Sequence, residues 1–318
     1  MRFNETTLKT YAAPLSKVED AKCKYTIELI RDALKELGYT DDRKDIGLLE
    51  SDTLSYSVAM RKMSSSETIH IFIQGSYANN TCVRNESDVD IAIVRDDMHE
   101  IVLNEQLFST SASRKIEAVE LKNAVERILR QQFPYQVRRG NKSIKVLGND
   151  YRKPADTVPC LSMNYYYKSH LSNYTDNHKG VIIFADDGTV IRNFPKQHIA
   201  NGKTKNNDTN YYYKKMVRIM KKMRYLMSDR GYKCADNVSS FGLESLLWNI
   251  PNFYFTKYSC YGFAFKEIIN YLYANKANYI NYYEVNGIKK LCQSQQDVGN
   301  YSSFIDNLYL FYQYDYYS

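Results

Sequence analysis

Residues 71–94 read IFIQGSYANNTCVRNESDVDIAIV. Two apolar, β-branched runs, IHIFIQ (69–74) and VDIAIV (89–94), flank a polar loop. Both have the length and composition of buried strands. The first ends in Gly75-Ser76, a tight turn in which Ser76 is placed to cap a short helix through Tyr77 and Ala78. The second opens on Asp88 and Asp90. Successive strand side chains alternate faces, so these two carboxylates point the same way, with Cα atoms roughly 6.5–7 Å apart. That spacing suits a pair of divalent ions about 3.5–4 Å apart, as in two-metal phosphoryl-transfer sites. Magnesium, which prefers hard oxygen ligands and phosphates, is the expected metal. Glycine at a strand-to-helix turn lets the backbone approach a phosphate. A lone D-x-D is common by chance. A strand, then Gly-Ser, then a dozen residues, then D-x-D opening another strand is far more specific. Two aspartates leave two metals under-neutralised, so a third carboxylate is expected from a neighbouring strand. Asp156, at the head of the apolar segment ADTVPCLSMNYYY (155–167), is the first candidate, and Glu86 in the polar loop is its rival.

Around this core the chain alternates strand and helix. LSKVEDAKCKYTIELIRDALKELG (15–38) has helical spacing and a glycine stop at Gly38. SRKIEAVELKNAVERILRQQF (113–133) is an amphipathic helix, YQVRRGNKSIKVLG (135–148) a strand-turn-strand, and GVIIFADDGTVIRNF (180–194) a hairpin turning at Asp186-Asp187-Gly188. Pro159 either disrupts the 155–167 strand or marks an edge. GKTKNNDTN (202–210) is the expected loop. After residue 208 four helical segments follow. The expected architecture is α/β (α+β): a lobe with a central mixed sheet and an N-terminal helix over 1–175, then a mainly helical lobe over 176–318.

The 318 residues carry a formal net charge of +7, and 44% are apolar, an ordinary globular value. A basic balance suits an anionic ligand but is equally the mark of a solvated surface. Six cysteines, none in a C-x-x-C pair, argue against zinc and fit free thiols in a reducing, cytoplasmic setting. No apolar run is long enough for a signal peptide or a membrane span. The 30 tyrosines are expected to pack helices with their hydroxyls at the rim.

The stretch QGSYANNTCVRNESDVDIAIV resembles the nucleotidyltransferase core of the DNA polymerase beta superfamily and, more narrowly, the bacterial CD-NTase family, the cGAS/DncV-like nucleotidyltransferases of anti-phage signalling. NKSIKVLGNDYRKPADTVPC is similar to that family's third-aspartate strand, NFPKQHIANGKTKN with YYYKKMVRIMKKMR to its linker and lysine-bearing helix, and SSFGLESLLWNIPN to a segment of its helical lobe. The CdnE-like synthases are the subgroup it most resembles. The resemblance implies that Asp88, Asp90 and Asp156 hold two Mg²⁺ ions, with Mn²⁺ as a substitute. Gln74, Gly75 and Ser76 hold the donor triphosphate, with Lys214 and Ser240 completing the cradle. It implies a polymerase-beta-like catalytic lobe, a cyclic dinucleotide product and a downstream cyclic-nucleotide-sensing effector. The substrates are nucleoside triphosphates. Asn201, in the HIANG segment, aligns with an asparagine of pyrimidine users, and its amide complements uracil. This tilts the expectation to UTP, with ATP, GTP and CTP as alternatives. The same residue is explained as well by an ordinary Asn-Gly turn. His198 is expected to be a structural hydrogen-bonding group. Other products of the same fold, a purine cyclic dinucleotide, a linear oligonucleotide or a small-molecule conjugate, remain alternatives. A non-catalytic sensor is disfavoured because all three aspartates are present. With no Cys/His cluster, activation by double-stranded DNA is not expected.

Overall fold

The computed structural model describes residues 3–42, 45–51, 53–84, 88–103, 106–107, 111–166 and 177–317. In chain order the elements are α1 (Glu5–Ala12), α2 (Lys17–Lys35), β1 (Tyr39–Asp41), β2 (Gly47–Leu48), β3 (Tyr56–Lys62), β4 (Thr68–Gln74), α3 (Gly75–Ala78), β5 (Val89–Leu103), β6 (Gln106–Leu107), α4 (Ser111–Gln132), β7 (Val137–Arg139), β8 (Ile144–Val146), β9 (Ala155–Tyr166), β10 (Asn177–Phe184) and β11 (Val190–Asn193). Then come α5 (Pro195–Asp208), α6 (Tyr213–Asp229), α7 (Ser240–Trp248), α8 (Phe253–Thr256), α9 (Tyr261–Ala274) and α10 (Gln295–Tyr317).

The chain forms two compact units. One comprises Ser16–Ala78 and Asp88–Lys196; the other comprises Met1–Leu15, Asn79–Ser87 and Gln197–Ser318. The first is built on a sheet in the order β1-β3-β4-β5-β9-β10-β11. The pair β5–β9 is parallel and the others are antiparallel, so the sheet is mixed, as expected. A parallel pair needs a long crossover, and α4 with the β7–β8 hairpin supplies it. The alternation of apolar residues sets which side faces inward. Ile71, Ile73, Val89, Ile91 and Ile93 are all fully buried, and α2 and α4 pack against the sheet. Helix α2 starts at Ser16, whose side chain and that of Glu19 cap each other's backbone in a capping box. Its chain turns away at Gly38, φ +86°.

Pro159 lies inside β9, opposite Ile93 of β5. On β9's other flank, β8 pairs only as far as Thr157 and β10 only from Leu161. Pro159 therefore sits in the gap where one neighbour hands over to the next, a local edge within a central strand.

The second unit is helical. Met216, Met220, Met223 and Met227 of α6, Leu243, Leu246 and Leu247 of α7, Phe265, Ile268 and Leu272 of α9 and Phe304 and Leu308 of α10 share one core with Phe3 and Leu8. The three- and four-residue spacing of these side chains is what the sequence presented. Tyr213 and Tyr279 serve this packing but carry their hydroxyls inside rather than at the rim: both are fully buried, and the Tyr279 hydroxyl donates to the Leu272 carbonyl at 2.9 Å. All six cysteines are free thiols. Among the described residues no helix is long and apolar enough to cross a membrane.

Two expectations need correction. Residues 202–208 of the expected loop are helical, because Pro195 opens α5 and the helix runs to Asp208. Gly202 fits there because it packs closely: a Cβ at that position would stand 3.1 Å from Asn79 Oδ1. The division between units also falls elsewhere than at 175/176. The β10–β11 hairpin pairs with β9 and so belongs to the sheet unit, while residues 1–15 and 79–87 belong to the helical one.

Candidate active site

The site begins with strand register. Gln74 at the end of β4 lies opposite Asp90 of β5, and Asp90 lies opposite Asp156 of β9. Registered partners on neighbouring strands, about 4.8 Å apart, present side chains on the same face. Gln74, Asp90 and Asp156 therefore stand in a row across three adjacent strands, all half-buried. Asp88, two residues before Asp90, joins the row from just outside the strand, where the Val89 amide still bonds the Pro154 carbonyl at 2.9 Å. The sequence expectation that Asp156 comes from a neighbouring strand is met by the parallel β5–β9 pairing. Its rival, Glu86, lies outside the described residues.

Gly75 has two physical reasons to be glycine. Its φ is +67°, in the left-handed region. A Cβ there would stand 2.5 Å from Asp90 Oδ2. The turn and the carboxylate are thus fitted to each other. Helix α3 starts at Gly75 itself, so Ser76 is the second residue of the turn rather than its cap.

Two residues that the sequence reading passed over complete this site. Lys145 of β8 is registered opposite Asp156 and its ammonium forms an ion pair with Asp88 Oδ2. Ser143 Oγ donates to Asp156 Oδ1 at 3.3 Å. The signal was present, since alternation through S-I-K-V places Ser143 and Lys145 on one face with Ile144 buried on the other. What was missing was the knowledge that this strand pairs with the Asp156 strand. Burial pushes the Asp156 carboxyl above its ordinary range, Lys145 pulls it down and Asp88 pushes it up. The hydrogen bond to Asp88 raises Lys145.

The donor set fits a hard divalent cation: carboxylate oxygens from Asp88, Asp90 and Asp156, with burial disfavouring the charged form of the half-buried Asp156. Among the described residues, no three acidic, histidine or cysteine side chains converge closely enough to hold an ion. One of the carboxylates, Asp88, is instead paired with Lys145.

Lys214, Ser240 and Asn201 belong to the helical unit. Lys214 lies in the first turn of α6 with its side chain buried, and its backbone amide donates to Asn206 Oδ1 at 3.1 Å. Ser240 is the first residue of α7, but the cap is Ser239, whose hydroxyl accepts from the Gly242 amide. Asn201 is not in a turn. It lies within α5, and its Nδ2 donates to the Val285 carbonyl at 2.8 Å. The same unit holds a buried polar network. Glu244 accepts from Lys221 at 2.7 Å and from Thr81 at 2.6 Å, and its other oxygen meets His198 Nε2 at 2.9 Å. His198 is thereby the structural hydrogen-bonding group expected of it.

Known proteins resemble both the sheet-bearing and the helical part of the chain. Residues 58–173 match the nucleotidyltransferase domain model, and residues 200–313 match the cGAS/DncV-like nucleotidyltransferase C-terminal helical domain model. A cyclic GMP-AMP synthase, CdnE03, of Staphylococcus schleiferi is 39% identical, over 99% of this chain and 98% of the relative. A cyclic dipyrimidine nucleotide synthase, CdnE, of Cecembia lonarensis is 35% identical over 86% of this chain and 84% of its own length. The structure of the Elizabethkingia meningoseptica CdnE cyclic dinucleotide synthase with GTP and Apcpp superposes with a TM-score of 0.72 at 32% identity, covering 96% of this chain and 99% of that one.

Proposed function

We propose that this chain, which belongs to the cGAS/DncV-like nucleotidyltransferase (CD-NTase) family and is a nucleotidyltransferase of the CdnE cyclic dinucleotide synthase type, makes a cyclic purine dinucleotide from nucleoside triphosphates as a second messenger in anti-phage (CBASS) signalling. The observation that carries the catalytic assignment is the row Gln74–Asp90–Asp156, with Gly75 fitted beneath Asp90. Asp88, Asp90 and Asp156 would hold two Mg²⁺ ions, or Mn²⁺ in their place. When bound, these ions offset negative charge on the entering and leaving oxygens. Gly75 and Ser76, with Gln74 beside them, position the donor triphosphate, and Lys214 and Ser240 of the helical unit are further triphosphate-binding residues in this reading. Asp156 orients the attacking hydroxyl of the second nucleotide and receives its proton. That oxygen bonds to the donor's α-phosphorus, the α–β bridging bond breaks and pyrophosphate leaves. A second transfer of the same kind closes the ring. A cyclic-nucleotide-sensing effector reads the product, and double-stranded DNA is not required for activity.

The 39% relative's guanine–adenine product supports the purine reading. A pyrimidine-containing product is the second reading, favoured by the dipyrimidine synthase among the relatives. Asn201 supports it less than its sequence position suggested, since one of its amide hydrogens is committed to Val285. The test is incubation with all four nucleoside triphosphates, each α-labelled in turn, with Mg²⁺ or Mn²⁺, followed by phosphatase treatment and mass spectrometry. A phosphatase-resistant product carrying label from ATP and GTP is expected, and label from UTP or CTP selects the second reading. A phosphatase-sensitive product overturns cyclisation. Synthesis retained by an Asp88→Asn, Asp90→Asn double variant removes the metal assignment.

A further inference from the structure

We propose that Lys145 is the resident counter-cation of the carboxylate site, an ammonium that Asp88 exchanges for a divalent ion as the site loads. The inference rests on the reading that Asp88, Asp90 and Asp156 hold metal, and it adds what occupies Asp88 beforehand.

Register places Asp90 and Asp156 side by side on neighbouring strands, with Asp88 two residues from Asp90. Like charges this close disfavour one another unless a cation stands among them. The chain supplies one. Lys145 comes from β8, directly opposite Asp156, and its Nζ pairs with Asp88 Oδ2. The residue is therefore held on the carboxylate face by the same backbone ladder that sets Asp156.

The pair is also built to open. The Lys145 side chain is 39% exposed and that of Asp88 31%. An ammonium on a flexible four-carbon stem can swing into water without being left buried and unpaired. A half-exposed pair contributes roughly 0.2–1 kcal/mol, small against the binding of a divalent ion by several carboxylates. Lys145 is thus a placeholder that lowers metal affinity slightly and holds the metal-free site together.

The test measures metal, not turnover. Mn²⁺ binding to the purified full chain is followed by electron paramagnetic resonance, and thermal unfolding is recorded with and without Mn²⁺. Wild type, Lys145→Met, Lys145→Gln, Lys145→Arg and Asp88→Asn are compared. Lys145→Met and Lys145→Gln are expected to bind Mn²⁺ about fivefold more tightly, the upper end for release from a part-exposed ion pair. They should also melt lower without metal and gain more in melting temperature on adding it. Lys145→Arg, which keeps a paired cation, should return both readouts toward wild type. Unchanged or weaker Mn²⁺ binding in both neutral variants, with wild-type binding lost in Asp88→Asn, overturns the inference and leaves the metal site standing. Wild type that binds no Mn²⁺, or binding untouched by Asp88→Asn, overturns the metal reading and the inference together.

Discussion

Substituting Gly75 by alanine separates two costs that the structure lets one calculate apart. The first is conformational. At φ +67° a residue with a Cβ pays about 1–2 kcal/mol for the left-handed region. The second is steric and falls on one atom. The new Cβ would stand 2.5 Å from Asp90 Oδ2, 3.3 Å from its Cγ and 3.6 Å from its Cβ. Ordinary van der Waals contact begins at 3.4 Å, so the carboxylate oxygen must move by roughly 0.9 Å while the rest of Asp90 is already near contact. The cheapest response is rotation about the Cβ–Cγ bond, which turns the oxygen out of its place in the row with Gln74 and Asp156. A displacement near 1 Å of a reacting or positioning group costs on the order of 100-fold in rate. Gly38→Ala is the matched control. Gly38 has φ +86°, and a Cβ there would meet nothing within 4 Å. Both variants should lose about 1–2 kcal/mol of stability in urea unfolding. Only Gly75→Ala should also lose about 100-fold in initial rate of dinucleotide synthesis at saturating substrate and metal. Gly75→Ala turning over within about threefold of wild type would show that synthesis does not need Asp90 in that position.

Other outcomes follow from the buried groups of the helical unit. Glu244→Gln leaves the Lys221 ammonium, 2% exposed, without its counter-charge and should cost about 3–5 kcal/mol in urea unfolding; adding Lys221→Met should recover part of that loss. Burial pushes the Glu244 carboxyl up, but Lys221 and His198 outweigh it and hold the group well below the ordinary range. Its contribution is therefore complete above the unfolded carboxyl's pKa, about 4.3, and is lost as pH falls toward the folded value; the wild type should lose more stability on acidification than Glu244→Gln does. Burial lowers Lys205, which donates to the Ile250 carbonyl, to about 8. Between about 8 and the unfolded value near 10.4 the unfolded chain binds the extra proton, so this group makes stability rise with pH. The difference in urea midpoint between wild type and Lys205→Met should shift in wild type's favour from pH 7.5 to pH 9.5, both chosen as roughly bracketing that window.

The parts of the fold carried by local pattern were legible. Short apolar runs gave β4, β5 and β9, a turn between two such runs gave the β10–β11 hairpin, and helical periodicity gave α2, α4, α6, α7, α9 and α10. What escaped depends on contacts between distant residues. Helix α5 carries Gly202 and a run of lysines and asparagines, residues that by themselves favour a loop, and it is helical through its Pro195 start and close packing. Helix α1 is eight residues long, too short to register by periodicity, although Asn4 does cap it by accepting from the Thr7 amide at 2.8 Å. The inclusion of residues 1–15 and 79–87 in the helical unit leaves no mark on composition. It is written in contacts such as Arg218 Nε with the Ala12 carbonyl at 2.7 Å and Lys221 with Thr81 at 3.2 Å.

The candidate site lies between these extremes, because its chemistry is a consequence of burial elsewhere. Asp90 is flanked by Val89 and Ile91, and Asp156 by Ala155 and Thr157, and all four neighbours are fully buried. Thr157 secures its hydroxyl to the Ile144 carbonyl at 2.8 Å. A slip of one residue between β5 and β9 would turn Asp156 into the apolar face and bring Ala155 or Thr157 out. The cost of burying an unpaired carboxylate there fixes the register, and the register sets Asp156 beside Asp90. The same constraint acts on β8. Ile144 and Val146 are buried, so Lys145 must emerge on the carboxylate side. The aspartates could be picked out as a motif, but the lysine is found only by asking where a strand's alternation must put it once its partner is known.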